Sequence, residues 1–203
     1  LADLNVTLTQ LMSPEAAQQL YNTLYGALAW EQREISLYGV RRKVPRLEAW
    51  YGSCDYVYSG QLHTARPLPD PLGSVLAAVE EATGERFNSV LCNLYRDGSD
   101  SVAWHADDEP GLGPDPIIAS VSLGAVRRFK VKPKAGGKAT DFDLQPGSLL
   151  LMGSGTQANF IHCISKTKKA VGPRINLTFR YMPPPDPVWA ELLAQAKSNL
   201  KIG

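Results

Sequence analysis

A chain of 203 residues, 44% hydrophobic and 20% charged with a formal net charge of +1, carries enough apolar matter for one buried core and too little length for two. Balanced charge at that apolar fraction excludes intrinsic disorder, and no run of about 18 apolar residues is present to span a bilayer. Seventeen Gly and fifteen Pro exceed what a helical bundle uses and predict many turns, hence many strands.

The opening LADLNVTLTQ lacks the basic and apolar regions of a secretion signal, and without an initial Met it reads as trimmed. The first helix is predicted from Ser13-Pro14-Glu15: Ser caps the free amides, Pro fits the first turn, and Glu favours the positive dipole end. Ala16, Leu20, Leu24 and Leu28 recur at i+4 and give it a buried stripe that ends near Trp30. Short extended segments follow over 35–38, 47–51 and 56–58. A second helix is predicted over 69–83, with Leu72, Val75, Leu76 and Val79 inward and Gly84 as its stop. From 87 to 182 the pattern becomes short strands divided by turns, over 88–95, 102–106, 117–123, 128–131, 140–144, 148–152, 160–164 and 174–181. Eight strands at this spacing suggest a barrel or a double-sheet jelly roll. After Pro183-Pro184-Pro185, which neither a helix interior nor a central strand tolerates, residues 188–200 read as a terminal amphipathic helix.

The chemistry concentrates in the strands. Of the three histidines, His105 lies two residues from Asp107 in a strand-like context, so both project from one face. A later strand delivers His162. Two imidazoles and a carboxylate suit a facial triad for non-haem iron(II), with positions left open for co-substrates. His-x-Asp alone is more often a surface pair, and His63, without a partner motif, reads as a surface or loop residue. The stronger signal is Arg174–Arg180, which alternates strictly: Arg174, Asn176, Thr178 and Arg180 on one face, Ile175, Leu177 and Phe179 on the other. A solvated polar face would make this an ordinary sheet edge. A face turned into a barrel would hold two buried guanidiniums, which demand anions and bind carboxylates bidentately. Asn93 and Tyr95 repeat the i, i+2 pattern on another strand. Together these residues describe an iron(II)/2-oxoglutarate pocket. Gly153-Ser154-Gly155 is not a hydrolase elbow, and Gly111-Leu112-Gly113 is not a dinucleotide loop.

Four, six and four of the 21 Lys and Arg fall in acid-free blocks at 41–46, 127–138 and 166–174. Such blocks form a phosphate-attracting surface on a neutral protein, or else solvated loops. Cys54, Cys92 and Cys163, odd in number and without CxxC spacing, predict free thiols in a reducing, intracellular compartment.

The stretch FNSVLCNLYRDGSDSVAWHADDEPGLGPDPIIASVSLGAVRRF, with PRLEAWYG upstream and PRINLTFR downstream, resembles the AlkB family of nucleic-acid demethylases. Motif order, spacing and flanks agree over residues 44–181. The resemblance implies an α+β fold, a double-stranded β-helix (jelly roll) with N-terminal helices and a nucleotide-recognition lid. Residues 1–86 would supply helices and lid, 87–182 the oxygenase core and 183–203 a C-terminal helix, all in one globular domain. It implies that His105, Asp107 and His162 bind iron(II), and that Asn93, Tyr95, Arg174, Asn176, Thr178 and Arg180 bind the co-substrate 2-oxoglutarate. Asp108 would contact the base. Tyr56, Val57 and Tyr58 would line it, with Tyr58 stacking opposite His105, although strand aromatics are usually core.

The implied reaction consumes O2 and releases formaldehyde, succinate and CO2 from bases such as 1-methyladenine and 3-methylcytosine, which must be flipped out of any duplex. Tyr38-Gly39 aligns with a finger hairpin that wedges an aromatic into duplex DNA, and Arg41, Arg42 and Lys43 beside it are placed for phosphates. The remainder is more similar to members that prefer single strands. The expected partner is therefore alkylated DNA, single-stranded first, with RNA open. A monomer is expected, away from membranes, in the cytoplasm and also the nucleus if the source is eukaryotic. Two other classes share features: a 2-oxoglutarate oxygenase acting on protein side chains, and a non-catalytic nucleic-acid-binding module. The base-lining tyrosines and basic blocks weigh against the first, the intact triad against the second.

Overall fold

The computed structural model describes residues 3–37, 40–58 and 61–200. The chain runs β1 (Val6–Gln10), α1 (Pro14–Ala27), β2 (Glu34–Leu37), β3 (Val40–Lys43), β4 (Leu47–Gly52), β5 (Tyr56–Tyr58), β6 (Gln61–His63) and α2 (Asp70–Thr83). It continues with β7 (Ser89–Tyr95), β8 (Val102–His105), a 3-10 turn at Pro110–Leu112, β9 (Ile118–Gly124), β10 (Arg127–Pro133), β11 (Thr140–Leu144) and β12 (Ser148–Met152). The last elements are α3 (Thr156–Asn159), β13 (Phe160–Ile164), β14 (Arg174–Arg180) and α4 (Pro187–Leu200).

A six-stranded sheet ordered β1-β12-β9-β14-β7-β4 faces a four-stranded sheet ordered β11-β10-β13-β8, and β2-β3 and β5-β6 form separate two-stranded ribbons. This is the jelly roll expected. The central strand, β14, pairs antiparallel with β7 on one side and β9 on the other. Period-2 alternation then sorts its side chains between two layers. Ile175, Leu177 and Phe179 join Val90, Cys92 and Leu94 of β7 and Ala119, Val121 and Leu123 of β9 against the helices. Leu24 and Leu28 beneath α1 and Leu72, Val75 and Val79 of α2 complete that core, each contributing about 1.5–3 kcal/mol on burial. A second apolar cluster, including Phe129, Val131, Leu150, Met152 and Ile164, fills part of the space between the sheets.

Local signals act as expected at the helix ends. Ser13 Oγ accepts from the Ala16 amide at 3.2 Å, and Gly84 closes α2 with φ +73°, a conformation that glycine adopts freely. The inward stripe of α1 keeps Leu20, Leu24 and Leu28 as predicted and differs at its first position alone, where Ala17 is buried and Ala16 exposed. An i−3 step from Leu20 lies as near the stripe as an i−4 step. β1 is an element the sequence analysis did not find. It pairs with the edge of β12; Leu4, Val6 and Leu8 alternate there with polar residues, a period-2 signal that was available, although most of the strand's side chains are exposed. β1 and β4 place parts of the first 86 residues inside the six-stranded sheet.

Candidate active site

β8 and β13 are neighbours in the four-stranded sheet, in a register that sets His162 opposite His105. Asp107 follows β8 directly. One ligating atom from each of His105, Asp107 and His162 lies within 4.8 Å of the others. His105 Nδ1 is 2.8 Å from the Ala103 carbonyl; a carbonyl only accepts, so Nδ1 carries the proton and the Nε2 lone pair is free. Burial, with His105 alongside, pushes His162 down to about 3, which keeps that ring neutral. Burial opposes charge on Asp107, but Arg180, His162 and His105 outweigh it and hold the carboxyl at about 2. Arg180 Nη2 donates to Asp107 Oδ2 at 2.9 Å, and the Asp107 amide donates to Gln157 Oε1 at 2.9 Å. Asp107 Oδ1 is buried with no hydrogen-bond partner. Two imidazoles beside an ionised carboxylate with one unused oxygen are the donor set a divalent transition metal takes.

The polar face of β14 opens onto the same space. Arg174, Asn176, Thr178 and Arg180, with Asn93 and Tyr95 of β7 and the triad, line one cavity. The alternative of a solvated sheet edge is thereby removed. Arg174 Nη2 donates to Ser122 Oγ at 2.8 Å and to Asn176 Oδ1 at 2.7 Å, while its Nε and Nη1 are buried without partners. Burial brings its pKa down to about 10. Burial also works against the charge on Arg180, but Asp107 overcomes it and raises the pKa. Its Nε and Nη1 are likewise unmatched. A buried guanidinium with two orphaned donors and no carboxylate on it is costly, so the cavity fits an anion small enough to enter. A dicarboxylate with one end at Arg174 and the other by the metal ligands satisfies both.

Several lining residues escaped the sequence analysis. Arg46, grouped there with surface cations, is buried: Nε donates to Asn93 Oδ1 at 2.9 Å and Nη2 pairs with Glu48 at 2.6 Å. With its oxygen turned to Arg46, Asn93 has its amide nitrogen left for other partners. The Arg-x-Glu spacing in PRLEAWYG was the available signal. Arg127 is also buried, donating to the carbonyls of Asp97, Asp100 and Ser165. With Arg174, three members of the basic blocks are therefore structural or face the cavity and are not part of a phosphate surface.

The expected base-contacting residues are placed less uniformly. Asp108 is at the surface beside the triad, its carboxylate 2.9 Å from Lys134 Nζ. Tyr56 is fully buried, stacked on Trp50 at 4.7 Å and close to Trp189, so it is a core aromatic and not a surface that lines a base; the strand preference for packed aromatics prevailed. Val57 is partly buried against the same cluster. Tyr58 ends β5, and its side chain and the wedge candidate Tyr38 lie outside the described residues. Arg41, Arg42 and Lys43 are exposed along β3. His63, expected at the surface, is buried next to Trp50 and Tyr56 with neither ring nitrogen hydrogen-bonded.

A family model described as the 2OG-Fe(II) oxygenase superfamily matches residues 5–180. The chain is similar to alpha-ketoglutarate-dependent dioxygenase alkB homolog 3 of Homo sapiens, 44% identical over 165 residues that cover 76% of this chain and 58% of that protein. The Bos taurus homolog 3 is 42% identical over 83% of this chain and 62% of its own length. DNA oxidative demethylase ALKBH2 of Mus musculus is 38% identical over 78% of this chain and 69% of its own length. The chain spans less than two thirds of the length of the homolog 3 proteins it matches. The solved structure of OsALKBH1 superposes with a TM-score of 0.61 at 16% identity, covering 89% of this chain and 98% of that one, a likeness of fold.

Proposed function

Because the chain belongs to the 2OG-Fe(II) oxygenase superfamily and is related within it to the AlkB homologues, we propose that it removes N-methyl groups oxidatively from nucleic-acid bases. The observation that carries this is the pairing, in one cavity, of the His105-Asp107-His162 cluster with the unmatched donors of Arg174 and Arg180. His105, Asp107 and His162 would hold iron(II). Arg174 and Arg180, with Asn93, Tyr95, Asn176 and Thr178, would hold 2-oxoglutarate. When bound, the pair supplies an oxidant from O2, converting 2-oxoglutarate to succinate and CO2 while the methyl carbon leaves as formaldehyde.

The chain's own residues do the positioning. Arg180 binds one oxygen of Asp107 and leaves the other for the metal, so the carboxylate cannot rotate freely. Arg174, buried in the cavity, would neutralise the far carboxylate of the co-substrate where charge-assisted hydrogen bonds count for more. Asp108, beside the triad, would exchange its Lys134 partner for a cationic base, which suits 1-methyladenine and 3-methylcytosine. Methylation at those positions blocks pairing, so such a base is cheap to take out of a duplex. Arg41, Arg42 and Lys43 would meet phosphates. Single-stranded DNA is the first substrate, with duplex DNA and RNA acted on more slowly. The free cysteines suit a reducing compartment, and a monomer suffices, since one chain supplies every group named. No helix among the described residues is long and apolar enough to cross a membrane.

The test is formaldehyde release, with iron(II), 2-oxoglutarate and O2, from matched methylated single-stranded DNA, duplex DNA and RNA, and from methylated peptides. Release from the oligonucleotides in that order is expected. Release from peptides alone overturns the assignment.

A further inference from the structure

β10 carries a second pattern that the cavity does not use. Phe129 and Val131 point inward into the core, so Arg128, Lys130 and Lys132 point outward along the other face, at intervals of about 6.6 Å. At the start of this row is a cleft lined by Arg127, Arg128, Lys130, Lys166 and Lys169, with Asp143 the one carboxylate among its described lining residues. At its far end is Trp104, an indole 38% exposed, with Lys132 Nζ 4.3 Å above one face of the ring. Arg128 is held by Asp143 and Lys134 by Asp108. Lys130 and Lys132, between them, have no carboxylate partner among the described residues. Trp104 immediately precedes His105, and β8 is the edge of its sheet, so one strand separates the indole from the cavity mouth.

We propose that this outer face of the four-stranded sheet, Trp104 with Lys132 and Lys130, is a track for the single strand flanking the base in the cavity. The proposal rests on the demethylase assignment. A base next to the extracted one stacks on the free face of Trp104, and the following phosphates meet Lys132 and then Lys130. An unpaired strand is the partner that fits, because stacking on an indole needs a base whose faces are open, and a row of cations follows its backbone. An acidic peptide would satisfy the lysines but leave the indole unused.

Two measurements separate the track from the assignment. Binding of an unmodified single-stranded oligomer of about twelve nucleotides, followed without turnover, should weaken about tenfold or more in Trp104→Ala and stay near the parent value in Trp104→Phe. Lys130→Gln with Lys132→Gln should lower the salt slope of log K by about 1.4. Unchanged affinity in Trp104→Ala with an unchanged slope in the lysine variant overturns the track, as does an acidic peptide that displaces the oligomer and binds more tightly. The second measurement is demethylation of methylated oligomers by the parent chain. Its failure while Trp104-dependent binding persists overturns the assignment of the cavity and leaves the track standing as a binding surface.

Discussion

Arg180 and Asp107 form an ion pair that bridges the two sheets, Nη2 to Oδ2 at 2.9 Å with both side chains almost wholly enclosed. Asp107→Asn removes the proposed anionic ligand and also leaves a buried cation without its partner, which costs about 3–5 kcal/mol. Urea unfolding of the metal-free protein should show that loss. His105→Ala, at a partly exposed ring outside the pair, should abolish iron binding with a much smaller change in metal-free stability.

Arg174 should behave in the opposite sense. With no carboxylate paired to it among the described residues, its replacement by Met is expected to stabilise the ligand-free protein by about 1–2 kcal/mol. The same change should erase the thermal shift that 2-oxoglutarate produces. Arg174→Lys, which keeps the charge but not the planar fork, should raise the KM for 2-oxoglutarate about 10- to 100-fold.

His63 predicts an acid-labile fold. Burial, with Arg33, Arg180 and Arg46 nearby, pushes its pKa from 6.5 down to about 3. Above pH 6.5 the ring is neutral folded or unfolded and contributes no pH dependence. Below it the unfolded chain takes up a proton that the folded chain refuses, and stability falls by about 1.4 kcal/mol per pH unit until the folded value is reached. Denaturant titrations at pH 7.5 and pH 5 should differ by about 2 kcal/mol from this residue, and His63→Met should remove that share.

Gly111 lies against Trp189 of α4: a Cβ at Gly111 would stand 2.5 Å from the indole. Gly111→Ala should cost about 1–3 kcal/mol through this clash, and Trp189→Ala about 3–5 kcal/mol through the cavity it leaves. The double variant should be no less stable than Trp189→Ala alone, because the space is then free. Thermal unfolding of the four proteins closes the cycle.

Neutralising Arg41, Arg42 and Lys43 together should reduce the salt slope of oligonucleotide binding by about 2, three contacts on a single strand. An undiminished slope would make β3 an ordinary solvated ribbon.

The cavity was legible where one strand held the whole signal. Arg174 to Arg180 announces two faces by alternation alone, and His105-x-Asp107 announces one. Arg46 was marked only by its spacing to Glu48, and Ser122 was not legible, because its meaning depends on which strands lie side by side, and register across a sheet is set by packing that a linear pattern does not carry. Tyr56 and His63 show the same limit from the other direction. A tyrosine or histidine in a three-residue strand fits a surface or a core equally well, and the neighbours that decided the matter, Trp50 and Trp189, are distant or on another element. β1 was legible and missed: Leu4, Val6 and Leu8 alternate with polar residues, and Leu4 and Val6 pack against the second cluster.

The division of labour between the sheets has a consequence for the nascent chain. The residues proposed to hold the metal lie on or just after strands of one sheet and most of those proposed to hold the acid on the other, and the Arg180–Asp107 bridge forms only when the two close. A half-folded molecule can collect a metal or an acid but cannot bring them together. On the proposed function, oxidation that would damage an unfinished polypeptide then waits until both sheets have closed.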